Sequence, residues 1–266
     1  MGNSRAGLAS HLAVGALALV AGAGLTSLLR RPHLDPVTTH GEWVYIKKPA
    51  GDSLRAYVAY PERKDKAPAI IVIHEIFGLT DWEPTVGDRL AGKGYVAIVP
   101  DLLSSRWGQS PASGDSGRKL MAQLVPDQVT ADLDAAYGYV NGLPSVKKDR
   151  TGVMGFCWGG GQTFRYATNN PKLKAAVVCY GPNPDTLALE RIKAPILGVY
   201  GEADARINSM LPTVSRIMSQ LGKPFVADSY PGTGHGFLKP GRKGSDTDQV
   251  DKAWAKIDGF FTEKLK

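Results

Sequence analysis

Solid apolar runs, repeated along the chain, constrain its fold more than any other feature. "AIIVIHE" (69–75), "YVAIVP" (95–100), "TGVMGF" (151–156), "AAVVCY" (175–180) and "PILGVYG" (195–201) are each of strand length. They lack the apolar–polar alternation of a strand with one wet face, so both faces must be covered. "PFVADSYP" (224–231) adds a sixth. Helical stretches lie between them at 85–94, 127–142, 213–222 and 248–265. Within 127–142, Val129, Leu133, Ala136 and Val140 recur on one face. Two further strands, 42–48 and 54–61, flank the turn-rich Pro49, Ala50, Gly51 and Asp52 and read as an antiparallel hairpin at a sheet edge. Strands alternating with helices predict an α/β fold: a mainly parallel sheet of about eight strands with helices on both faces.

The first thirty residues follow a different rule. "AGLASHLAVGALALVAGAGLTSLL" (6–29) is small and apolar, with Arg5 before it and Arg30 and Arg31 after it. The uninterrupted part, Leu12 to Leu25, suits the central region of a secretory signal, and Ala21, Gly22 and Ala23 offer a cleavage site. The full stretch is also long enough to span a bilayer. The arginines that follow it weigh against simple export, since positive charge prefers the inner side. Residues 1–36 are therefore expected to be a cleaved signal or a membrane anchor with its linker. The domain proper is expected over 37–266, either exported or held at a membrane through residues 6–29. Myristoylation of Gly2 is disfavoured by Ala6, where the signal needs a hydroxyl.

Charge and cysteine content exclude several classes. The net charge of +7 could draw anionic ligands. No long basic run or basic–aromatic interleaving accompanies it, so nucleic acid is not expected as a partner. The two cysteines, Cys157 and Cys179, make no disulfide framework for a domain of this size. Neither has a second cysteine or a histidine at ligand spacing, so no metal site is expected.

Cys157 nevertheless sits in a telling frame. Gly155-Phe156-Cys157-Trp158-Gly159 places a thiol where Gly-x-Ser-x-Gly hydrolases carry a hydroxyl, between an apolar strand and a helical stretch. Glycines two residues to either side relieve crowding at such a turn, and the helix amino terminus favours thiolate. Cys179, inside an apolar strand without that frame, reads as core. A thiol nucleophile needs a base, and the base an orienting acid. In this architecture they follow in the order nucleophile, acid, histidine, each at a strand end. Asp204 lies just past strand 195–201 and His235 just past the last strand. Glu202 is a nearer rival to Asp204 but stands closer to its strand. Of the other histidines, His11, His33 and His40 precede the core, and His74 ends a different strand.

"HEIFGL" (74–79), "GFCWGG" (155–160), "GEADARIN" (201–208) and "GTGHGF" (232–237) together resemble the dienelactone hydrolase family of α/β-hydrolases, across roughly residues 42–265. The resemblance implies that Cys157, Asp204 and His235 match the family triad. It implies that Glu75 contacts the resting cysteine and moves when substrate binds, and that the N–H groups of Ile76 and Trp158 form the oxyanion hole. Trp158 opens a helix, so its N–H has no intrahelical acceptor. A negative Glu75 near the sulfur would raise the thiol pKa.

The expected reaction is hydrolysis of a small ester or lactone through a thioacyl intermediate, with no cofactor and no metal. In the family two arginines hold a substrate carboxylate. The position four after His235 is Lys239, which keeps the charge without the bidentate fork. Arg106 and Arg118 are both candidates for the other cation. Trp82, Trp107 and Trp158 are candidates to line an apolar pocket. The alternatives are a non-catalytic binding protein that kept the fold, and a thiol redox protein using Cys157.

Overall fold

The computed structural model describes residues 38–49 and 51–266. The expected leader over 1–36 lies outside the described residues. Among the described residues no helix is long and apolar enough to cross a membrane.

The chain begins with the hairpin of β1 (Thr39–Lys47) and β2 (Ser53–Pro61), paired antiparallel. β3 (Ala67–Ile73), α1 (Trp82–Gly92) and β4 (Val96–Pro100) follow. Two short helices, α2 (Ser104–Trp107) and α3 (Gly114–Met121), precede α4 (Pro126–Gly142). Then come β5 (Val146–Phe156), α5 (Trp158–Asn169) and β6 (Ala175–Cys179). A 3-10 turn at Thr186–Arg191 leads to β7 (Ile196–Gly201) and the one-turn α6 (Ala205–Asn208). α7 (Leu211–Gln220), β8 (Phe225–Tyr230) and α8 (Asp248–Leu265) complete the domain.

The strands form one eight-stranded sheet in the order β1-β2-β4-β3-β5-β6-β7-β8. β2 runs antiparallel to β4, and every pair from β4 to β8 is parallel. The apolar runs cause this burial on both faces. Ile71 and Ile73 of β3 join a cluster with Val129 and Leu133 of α4 and Phe164 of α5. Ile70 and Val72 join the opposite cluster, with Val86 and Leu90 of α1 and Ile257 and Phe261 of α8. The expected helical face of Val129, Leu133, Ala136 and Val140 is buried throughout.

The order of the strands also places a crevice. From β3 the chain moves to β4 on one side and then to β5 on the other. That reversal splays the connections after β3 and β5, so a cleft opens at their carboxyl ends.

Two boundaries differ from the sequence reading for visible reasons. β5 starts at Val146 rather than 151, because its extension carries Lys147, Lys148, Asp149 and Arg150, exposed and charged. Asp149 has a φ of 57°, and the pairing with β3 shifts register between Ala67 and Ala69. β3 ends at Ile73 rather than 75. His74 leaves the sheet to join two loops: its Nε2 accepts from Leu102 N at 3.2 Å, and its Nδ1 donates to Glu75 O at 2.8 Å.

α5 lies so close to β3 that only glycine fits at position 159. A Cβ there would collide with the main-chain oxygens of Ile73 and His74, and one at Gly155 with that of Gly159. Gly159→Ala is expected to lower stability by about 1–3 kcal/mol, the usual cost of overpacking. Gly138, exposed on α4 with open space around it, is the control. Gly138→Ala is expected to raise stability by about 0.5–1 kcal/mol. Chemical denaturation midpoints of the two variants check both signs.

Candidate active site

β5 delivers its last residue, Phe156, into the sheet, and Cys157 turns the chain into α5. The Cys157 backbone has φ 55° and ψ −115°, a region that costs a non-glycine residue about 1–3 kcal/mol. Two hydrogen bonds hold it there. Its N–H donates to Cys179 O at the end of β6 (3.0 Å), and its C=O accepts from Gly161 N (3.1 Å). The turn thus points the side chain out of the sheet at the amino end of a helix of 12 residues.

The sulfur lies among competing influences. Burial raises the Cys157 thiol pKa first, and the negative Glu75 raises it further. The backbone N–H groups of Trp158 and Ile76, and the charge of Arg206, act in the opposite direction. The net result is a raised pKa, so the resting group is a thiol. Trp158 and Ile76 are the N–H pair expected from the sequence, and both point toward the sulfur's surroundings. Trp158 itself stacks on His74, with ring centroids 5.9 Å apart, which fixes the first turn of α5 against the end of β3.

Glu75 is 2% exposed. Its main chain is pinned from the next helix: Glu83 Oε1 of α1 accepts from Glu75 N (3.4 Å), and Oε2 accepts from Thr80 N (2.9 Å) and Thr80 Oγ1 (2.6 Å). Its carboxylate accepts from Lys239 Nζ at 3.2 Å. Lys239 also reaches Thr80 Oγ1 (3.4 Å) and lies over the Trp82 ring, 5.1 Å from its centroid. Lysine at this position is therefore committed to Glu75 and sits behind it.

His235 enters from the loop after β8. Its Nδ1 donates to Asp204 Oδ2 at 2.5 Å, and Asp204 is 7% exposed. Asp204 caps α6, with Oδ1 accepting from Ile207 N at 3.4 Å. Glu202, the rival acid, is turned away and accepts from Gly232 N at 3.1 Å. Tyr180, buried and itself at φ 41°, packs edge-on against the His235 ring at 5.2 Å. No hydrogen bond joins Cys157 to His235 among the described residues. Both line one cavity of about 420 Å³ with Glu75 and Ile76.

The other expected residues divide. Arg118 of α3 lines this cavity. Arg106 does not: it lines a separate cleft with Gln123 and Asp132, donates to Gln123 O at 3.4 Å and stacks over Trp107 at 4.7 Å. Trp107 follows Arg106 out of the site. Both lie on the segment that Asp101 ties down by accepting from Ser110 N and Ser110 Oγ, each at 2.6 Å, which aims α2 elsewhere. Trp82 packs beneath the site on Phe156 at 4.6 Å. The aromatic wall of the cavity is Phe77, and two more arginines, Arg206 and Arg242, reach it. Sequence reading missed these three. Arg206 was signalled by standing two residues after Asp204, within a quoted motif; Arg242 carried no local signal. Among the described residues no group of three His, Cys, Asp or Glu side chains is placed to hold a metal ion.

A strand–turn–helix elbow at Cys157, an acid after β7 and a histidine after β8 on this sheet define an α/β-hydrolase fold. Residues 54–265 match the model of the dienelactone hydrolase family, and the chain belongs to that family. The "Putative carboxymethylenebutenolidase" of Methylorubrum extorquens is 33% identical over 237 residues, 82% of this chain and 80% of the relative. Its namesake in Escherichia coli is 34% identical over 233 residues, 80% of this chain and 83% of the relative. Among solved structures, the "Putative Dienelactone Hydrolase" of Klebsiella pneumoniae superposes with a TM-score of 0.76 at 27% identity. That match covers 85% of this chain and 99% of the other.

The electrostatics give a direct test. Glu75→Gln removes a charge that raises the Cys157 pKa. The pH profile of Cys157 alkylation by iodoacetamide is expected to move to lower pH in this variant. An unmoved profile would show that Glu75 does not act on the sulfur.

Proposed function

We propose that this dienelactone hydrolase-like enzyme cleaves its ester or lactone through a Cys157–His235–Asp204 triad and a thioacyl intermediate. The observation that carries the reading is the shared cavity: Cys157, Ile76 and the His235 imidazole held by Asp204 line it, and the N–H groups of Ile76 and Trp158 act on the Cys157 sulfur.

The resting thiol lies near Glu75 rather than in a hydrogen bond with His235. Substrate binding displaces Glu75, and His235 Nε2 takes the thiol proton as the sulfur turns toward the carbonyl carbon. The new S–C bond forms, and the carbonyl pair moves onto oxygen. That oxyanion rests on Ile76 N–H and Trp158 N–H, each worth about 2.7–4 kcal/mol of barrier by the measure of known donors. Collapse breaks the C–O bond, and His235 returns its proton to the departing oxygen. A water then gives its proton to His235 and adds to the thioester. The second collapse releases the acid and restores the thiol, so one ester and one water become one acid and one alcohol.

The raised thiol pKa serves this scheme. A standing thiolate is open to oxidants and alkylating agents, whereas this one forms only with substrate present. Arg118, which lines the cavity with Phe77, is a group suited to a carboxylate on the substrate. Cys179 does not favour redox chemistry: it is wholly buried in β6, and burial raises its thiol pKa well above normal.

Replacing Cys157 by Ala is expected to abolish hydrolysis of p-nitrophenyl acetate. His235→Ala is expected to lower kcat by about 10²–10⁴-fold, the usual share of general acid–base catalysis. Stopped-flow release of p-nitrophenol checks both, and turnover surviving Cys157→Ala would overturn the assignment.

A further inference from the structure

We infer that the amino-terminal edge of the sheet, opposite the active-site cavity, is a docking face for an anionic lipid surface.

The strand order gathers cations there. β3, β5, β6 and β7 are neighbours and run parallel, so their first residues share one edge. Lys64 and Lys66 lead into β3, Lys172 and Lys174 into β6, and Arg191 and Lys193 into β7. β5 adds Lys147, Lys148 and Arg150. Val146 faces Ala67 and Thr151 faces Ala69, so the residues between them stand opposite Pro68 alone and bulge from the ladder. All of these cations are exposed. Neighbouring strands lie about 4.8 Å apart, so the band is roughly 15 Å across.

The band is not neutralised from within. Among the described residues none of these side chains makes an ion pair or a hydrogen bond, whereas Lys48 pairs with Asp132 and Lys239 with Glu75. Asp149 and Glu190 stand among the cations, and Asp65 is engaged by Arg63 at 3.6 Å. At the start of β4 the crowding continues. Arg63 Nη1 and Lys266 Nζ lie 3.4 and 3.9 Å from where a Cβ on Gly94 would stand. Burial lowers the Lys266 pKa most, the charges of Arg63 and Lys93 lower it further, and Asp258 opposes them. Like charge concentrated at one edge repels itself, and an anionic partner relieves that repulsion.

The make-up of the band favours lipid among anionic partners. Lysine outnumbers arginine, so it presents point charges rather than the fork that selects one phosphate or carboxylate. Clusters of this size match an anionic leaflet. Single-stranded nucleic acid would need rings for its bases to stack on. Among the described residues the exposed large aromatic side chains, Trp43 and Tyr45, lie on β1 and not in the band.

The described chain also begins at this edge. Thr39 pairs with Pro61, and Thr38 O accepts from Glu62 N at 2.7 Å, two residues before Lys64. In the sequence, residues 30–38 join that point to the apolar stretch 6–29. Nine residues reach at most about 30 Å, so a bilayer holding that stretch falls within reach of the band. Cys157 follows the last residue of β5, at the other edge, and a domain docked this way keeps its cavity turned away from the lipid.

The test is flotation of the full-length chain with vesicles of phosphatidylcholine alone, or with about 30% phosphatidylserine, in about 0.1 M salt. The readout is the ratio of the two partition coefficients within each variant, which cancels binding through the apolar stretch. Wild type is expected to favour the anionic vesicles by about 100-fold or more. Salt of about 0.5 M is expected to bring that ratio toward one. Lys147→Glu with Lys172→Glu is expected to lower the ratio by about tenfold or more. Lys47→Glu with Lys119→Glu makes the same change of charge at the end of β1 and on α3, and is expected to leave the ratio within about twofold of wild type. Thermal midpoints close to wild type show that both pairs fold. A wild-type ratio near one, a ratio insensitive to salt, or an equal fall in both pairs overturns the docking face. A ratio near one, together with single-stranded DNA binding that the Lys147 and Lys172 changes abolish, gives the band to nucleic acid and likewise overturns it.

Discussion

The close approach of α5 to the end of β3 governs the rest of this molecule. It exists because Gly159 presents no side chain to the main-chain oxygens of Ile73 and His74, and because Gly155 leaves room for Gly159. With strand and helix locked at that distance, the one residue that turns between them must take a backbone conformation it would not choose. Cys157 is held at φ 55° by its bond to Cys179 O and by the start of the helix. The local strain, about 1–3 kcal/mol, is small beside the burial of two apolar layers on the sheet. The same approach puts the N–H of Trp158 near that of Ile76, since one opens the helix and the other leaves the strand. The cysteine and its two donors are thus products of one packing decision.

Charge then sets the state of the sulfur. A buried thiol near a carboxylate is protonated, and in the resting site Lys239 holds the Glu75 carboxylate while Glu83 accepts from the Glu75 main-chain N–H. The imidazole is prepared separately, with Asp204 fixing its orientation from an adjacent strand end. The resting site therefore keeps Cys157 and His235 in one cavity but without a hydrogen bond between them. An account of turnover needs a substrate to bring them together.

Much of this was legible in the sequence, for reasons that differ by element. Strands buried on both faces announce themselves as solid apolar runs, so β3, β4, β6 and β7 stand out. The charged beginning of β5 does not, because Lys147 to Arg150 project from the sheet rather than into it. Cys157, Asp204 and His235 could be placed because each follows a strand and is framed by glycines or a cap. Lys239 was found as a position, but its direction depends on the Glu75 carboxylate and the Trp82 ring, neither of which is near it in sequence. Arg106 and Arg118 were indistinguishable as letters. Only the fold of α2 and α3 sends one to the cavity and the other away from it. Arg242 was invisible for the same reason: a loop arginine has no periodicity to read.

The central claim is that Cys157 carries the acyl group during turnover. Mixing enzyme with p-nitrophenyl acetate, quenching in acid within milliseconds and mapping the peptides by mass spectrometry measures this directly. The account predicts an acetyl adduct on the peptide containing Cys157, present early and decaying as turnover ends. Sustained turnover in which the acetyl group is found on another side chain, or on none at any time, would contradict it.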